Sequence, residues 1–72
     1  MKEHWAGSVA YDNDRDEWED YVLLAMSEKE LVTDMKEFMA TRRNSEVFFA
    51  AHVVDGKEYD ITGVIREQIG DE

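Results

Sequence analysis

Neither cysteine nor proline occurs in the 72 residues. Without cysteine there is no disulfide framework and no thiolate metal site, and a reducing cytoplasm is the expected setting. Without proline, the chain must be punctuated by its four glycines and by Asn, Asp and Ser. Positive charge is also scarce. Eight Lys and Arg stand against eighteen Asp and Glu, a net charge of -10 at pH 7. Such a chain repels nucleic acid and anionic membranes and favours basic partners, so direct DNA or RNA binding is not expected. Apolar runs such as "VFFAA" (47–51) are far too short to span a bilayer, and "MKEHWAG" lacks the apolar centre of a secretory leader.

What is present is enough for a core. A hydrophobic content of 43% argues for a folded chain despite 36% charged residues. At this length, residues 1–72 are expected to form a single compact domain, and a domain this small is marginal unless something adds stability. There is no Gly/Ser linker, repeat or low-complexity tract to divide it.

The periodicity predicts an α+β fold: a small antiparallel sheet with one main helix, in the order ββαββ, plus a short C-terminal helix. From His4 to Asp12 the chain alternates, with Trp5, Val9 and Tyr11 on one side and Ala6, Ser8 and Ala10 on the other. "WEDYVLLAM" (18–26) follows as a second strand rich in aromatic and aliphatic residues. Ser27 opens "SEKE", a capping box, and Leu31, Met35, Phe38 and Met39 then form an apolar stripe on a helix over about 28–42. Arg42 and Arg43 would complement the helix dipole at its end, with Asn44 as a stop. Asp55-Gly56 predicts a type I′ hairpin between strands at about 46–54 and 57–62. Thr62 is then a candidate N-cap, and Gly70 the stop, of the final helix.

Two strands are apolar on both faces, "YVLLAM" and "VFFAAHVV". Strict alternation puts Phe48, Ala50 and Val54 on one face and Val47, Phe49, Ala51 and Val53 on the other. One helix covers one face only. Either the C-terminal segment covers the second or another molecule does, and a homodimer through Phe48, Ala50 and Val54 is one form that takes.

Catalytic and metal signatures are weak. Counted from Asp12, acids fall at EF-hand positions 1, 3, 5 and 9, yet position 6 is Glu17 rather than glycine, and position 12 is Leu23 rather than a bidentate glutamate. His4 and His52, the two imidazoles, lack metal-ligand spacing, and His52 sits in an apolar strand where a hydrogen-bonded structural role is usual. Ser8 and Ser45 have no nucleophile elbow around them, and no glycine loop cradles a phosphate. The expectation is a non-enzymatic protein with no metal and no cofactor.

The acidic segment "YDNDRDEWEDY" (11–21) remains. It holds Asp12, Asp14, Asp16, Glu17, Glu19 and Asp20 with only Arg15 to oppose them, and Trp18 and Tyr21 stand beside it as candidate contact residues. Glu17 and Glu19 are expected on one strand face, about 6.8 Å apart. Glu30, Asp34 and Glu37 form a second acidic stripe at helical spacing. A run of this kind can be a solvated turn, a salt adaptation, or a surface that occupies a Lys/Arg groove built for a phosphate backbone.

In size, acidity and lack of cysteine, with "DNDRDEWED" beside a small sheet, the chain resembles the small phage-encoded inhibitors that block host nucleases, glycosylases, restriction enzymes or CRISPR effectors. The resemblance covers the whole chain and is compositional, so it assigns no residue a role. It implies a viral protein of anti-restriction or anti-CRISPR type, a DNA mimic acting in the host cytoplasm on a basic nucleic-acid-binding protein. The alternative is a structural or regulatory homodimer joined through an apolar sheet face, with acidity serving solubility.

Overall fold

The computed structural model describes residues 2–13, 15, 17–42 and 44–70. Along the chain run β1 (Glu3–Asp12), β2 (Trp18–Ala25), α1 (Glu28–Ala40), β3 (Ser45–Val54), β4 (Lys57–Asp60) and α2 (Thr62–Ile69). The four strands make one antiparallel sheet in the order β2-β1-β3-β4. The ββαββα order and α+β class are those the periodicity predicts.

Local signals explain most boundaries. Ser27 Oγ accepts from the Glu30 backbone N–H at 3.0 Å, the first half of the capping box. Glu30 reaches back one residue further than the usual box, its carboxylate accepting from the Met26 N–H at 3.4 Å. The β3–β4 turn has positive φ at both Asp55 (49°) and Gly56 (86°), as a type I′ hairpin requires. Gly70 closes α2 in the left-handed region. Helix α1 stops earlier than expected, at Ala40, with Thr41 as its C-cap. Arg42 therefore lies beyond the helix, with its guanidinium over the rings of Tyr11 and Phe38 at 5.0 and 4.7 Å. Arg43 falls outside the described residues.

Both helices cover the same side of the sheet. Leu31, Val32 and Met35 of α1 and Ile65 of α2 pack with Val9, Ala25, Val47 and Ala50 in one buried cluster. A glycine lies beneath α1. A Cβ on Gly7 would collide with the Met35 methyl, the end of a flexible side chain, and lie 3.2 Å from the Phe49 carbonyl, so its missing side chain leaves the space that Met35 fills against the central strand.

The strand pattern of β3 differs from strict alternation. The register with β1 shifts between Ser8↔Phe49 and Val9↔Val47, leaving Phe48 as an extra residue in a β-bulge. Val47 and Ala50, three residues apart, consequently both face the helices. The grouping of Phe48, Ala50 and Val54 on one exposed face is thus corrected: Ala50 is fully buried beneath the helices, Val54 shares its side of the sheet, and Phe48 alone of the three stands 60% exposed on the open side.

The corner from β4 into α2 is fixed by side chains. Thr62 Oγ1 accepts from the Ala50 N–H at 3.0 Å and donates to Asp60 Oδ1 at 2.6 Å, while the Thr62 N–H donates to the same carboxylate at 2.9 Å. These two bonds hold the Asp60 carboxyl below the ordinary value of 3.8. Thr62 is the first residue of the helix and Ile61 its cap, so Thr62 acts as a clamp onto β3 rather than as the N-cap. Arg66 completes the corner, its Nε and Nη2 both donating to the Val47 carbonyl at 3.0 and 2.7 Å. The outer edge of β3 that short β4 leaves uncovered is thereby satisfied by α2.

Candidate binding surface

With both helices on one side, nothing among the described residues covers the other side of the sheet. Side chains alternate across β2, so Trp18, Asp20, Val22 and Leu24 face the open side while Glu19, Tyr21, Leu23 and Ala25 face the helices. Val22 and Leu24 are 68% and 69% exposed, and across the sheet Phe48 and Phe49 are exposed as well. Between these ridges run the small residues of β1, Ala6, Ser8 and Ala10. The result is a shallow trough of ≈ 460 Å³ lined by His4, Ala6, Ser8, Val22, Phe49, Ala51, Val53 and Glu58.

Carboxylates rim this trough. Asp20 and Glu46 flank Ala10 from the two neighbouring strands, which puts them roughly 10 Å apart across one end. Asp12 lies one pair further toward the hairpin, opposite Trp18. Glu58 borders the trough on the β4 side. Among the described strand residues facing the open side there is no Lys or Arg. An apolar floor with a rim of one sign presents contact area and orientation together.

The sequence-predicted acidic segment is divided by the structure. Asp12, Trp18 and Asp20 lie on the open side. Glu19 lies on the helix side, where its carboxylate accepts from Asn13 Nδ2 at 2.9 Å and faces the Tyr11 hydroxyl at 3.5 Å. Tyr21 also lies there, stacked on Phe38 with centroids 4.1 Å apart, so it does not share a surface with Trp18. Glu17 precedes β2 and belongs to the turn, its carbonyl accepting from the Asn13 N–H at 2.8 Å and its own N–H donating to Asn13 Oδ1. The expected Glu17–Glu19 pair thus reaches one residue past the start of β2 at Trp18, with Asn13 and Glu17 continuing the register of Tyr11 with Glu19. Asp14 and Asp16 fall outside the described residues.

The helical stripe of Glu30, Asp34 and Glu37 runs along the flank of α1 that faces β2. Asp34 and Glu37 line a groove of ≈ 530 Å³ between the helix and that strand, with Tyr21, Leu23, Phe38 and Thr41. Glu30 lines its continuation beside Leu24, Ala25 and Met26.

His52 stacks on Trp5, with ring centroids 4.2 Å apart, and its Nε2 lies 2.9 Å from the Glu3 carboxylate. These contacts give it a structural role. Among the described residues no three His, Asp or Glu converge to hold an ion. Glu46 and Glu58 were not singled out from sequence. Their place on the rim follows from the bulge and from the hairpin register, and of these only the Asp55-Gly56 turn has a sequence signal.

No family model, curated protein or solved structure matches the chain, so the surface has to be read from its own residues. Among the described residues no helix is long and apolar enough to cross a membrane.

Proposed function

We propose that this is a non-enzymatic binding protein whose open sheet face seats a basic protein, and that it acts as a viral inhibitor by occupying a nucleic-acid-binding site of a host nuclease, restriction enzyme or CRISPR effector. The observation that carries the reading is the uncovered face itself: exposed Val22, Leu24 and Phe48 around a floor of small residues, rimmed by Asp12, Asp20, Glu46 and Glu58. A Lys/Arg surface that tracks phosphates meets such a rim with charge complementarity, and its apolar contacts bury the ridges. The host cytoplasm is where such a target is met.

The test is competition. The protein is titrated into basic nucleases and effectors of the source cell, bound to labelled DNA, with displacement of the DNA as the readout. The triple reversal of the exposed acids Asp20→Lys, Glu46→Lys, Glu58→Lys should abolish displacement while leaving the fold intact. Undiminished displacement by the triple variant would remove the acidic rim from the function.

The same exposed ridges favour one second reading, a homodimer joined face to face. In that case light scattering gives a dimer mass that high salt leaves unchanged, Phe48→Asp returns it to a monomer, and the acid reversals have little effect.

A further inference from the structure

The two edges of the sheet are treated differently. At one edge, β4 has four residues, all exposed and three of them charged, and beyond it the outward groups of Ala50 and Val47 are taken by Thr62, Ile61 and Arg66 of the α2 corner. That edge is short and charged, and α2 takes over β3 where β4 ends. The other edge is β2, eight residues long with no Lys, Pro or bulge.

Which backbone groups β2 leaves outward follows from its neighbour. The Asp12 N–H donates to Asn44 and the Lys2 carbonyl accepts from Asp55, so even-numbered residues of β1 aim their backbone groups toward β3. Its odd-numbered residues therefore aim toward β2, pairing with Glu19, Tyr21, Leu23 and Ala25. The outward groups of β2 belong to Asp20, Val22 and Leu24. Among the described residues these make no hydrogen bond, whereas the next outward donor, the Met26 N–H, is held by Glu30.

Beside this open ladder runs the acidic flank of α1. Glu30 to Glu37 spans about 10 Å of helix, and side chains on one face of a strand recur about every 6.8 Å, so two successive residues of an added strand fall within the row. We infer that the free edge of β2 takes up an extended Lys- or Arg-bearing segment as a fifth, antiparallel strand, with its basic side chains over Asp34 and Glu37 and its alternate apolar side chains continuing the Val22–Leu24 ridge.

A second copy of this chain does not fit that place as well. Antiparallel pairing of two β2 edges sets Asp34 and Glu37 of one copy toward those of the other, between chains of net charge -10 each. A basic extended segment reverses that repulsion. The inference rests on the reading of the protein as a binder of basic proteins and names where a flexible part of such a partner is held.

The test uses the intact protein and a synthetic peptide alternating lysine and valine, followed by amide hydrogen exchange. Binding should slow exchange at Asp20, Val22 and Leu24 roughly tenfold or more, with a glutamate-valine peptide giving no effect. In antiparallel addition the residues that pair with β2 lie on its open side. N-methylation of the valines should therefore abolish binding and N-methylation of the lysines should be tolerated, a contrast that leaves the protein untouched. On the protein side, Val22→Pro should lose the protection that Val22→Ala keeps, and Asp34→Asn with Glu37→Gln should weaken binding roughly tenfold. No binding, binding without protection at those three amides, or equal effects of the two methylation patterns would overturn the proposal. None of those outcomes bears on displacement of DNA through the open face, which the rim reversals test separately.

Discussion

At the scale of single residues, the absence of a side chain at Gly7 matters as much as any contact. Its Cβ position is already filled by the Met35 methyl, with Leu31 close behind. A branched side chain there must push α1 off the sheet or force Met35 out of its rotamer. Gly7→Val is expected to lower stability by about 1–3 kcal/mol, read as a fall in the urea midpoint with an unchanged slope. An unchanged midpoint would mean that the helix is not seated on β1 as described. Nothing in the sequence marks Gly7 for this role, because a glycine inside an alternating strand is equally compatible with a bulge or a close approach. The aromatic pairs were similarly half legible. Tyr11, Val9 and Trp5 fall on one face as their spacing says, but the stacking of Tyr21 on Phe38 depends on where the α1 flank lies over β2.

At the scale of elements, the boundaries with dedicated chemistry were readable and those set by packing were not. Ser27, the Asp55-Gly56 pair and Gly70 each impose a local conformation, so each is visible in sequence. The bulge at Phe48 is invisible to a period-2 count, and it moves Ala50 from the open side to the core. The side of the sheet chosen by α2 was equally hidden, since "TGVIREQI" is amphipathic whichever face it covers. What settles it is the corner formed by Asp60, Thr62 and Arg66. Asp60 also gives this corner a pH dependence. Its carboxyl titrates below the ordinary value of 3.8 in the folded chain, so its contribution to stability is fully present above that pH and is lost as pH falls through the lowered folded value. Asp60→Asn cannot titrate and should show a flatter acid limb, compared by denaturant midpoints measured between about pH 2 and 5. Parallel acid limbs for the two proteins would show that Thr62 does not favour the ionised carboxylate.

At the scale of the whole molecule, charge and shape act together. The described chain extends 42 × 21 × 17 Å, so its acids lie within a few Debye lengths of one another at physiological salt, and a net charge of -10 strains the folded state through self-repulsion. The composition made the repulsion legible and helical spacing the row of Glu30, Asp34 and Glu37, but the open-face rim of Asp20, Glu46 and Glu58 is revealed only by the fold. Salt therefore has two opposite effects on this protein. Raising ionic strength from about 0.02 to 0.5 M screens the self-repulsion and should raise the thermal midpoint of the protein alone, because the expanded unfolded chain has less repulsion to lose. The same change should weaken a complex with a basic partner, because the attraction across the rim is screened too. Thermal melts of the free protein and titrations of the complex across one salt series separate these effects. A free protein insensitive to salt would mean that its acids are already too well solvated to strain the fold. A complex insensitive to salt would place the binding free energy in Val22, Leu24 and Phe48 instead of the carboxylates around them.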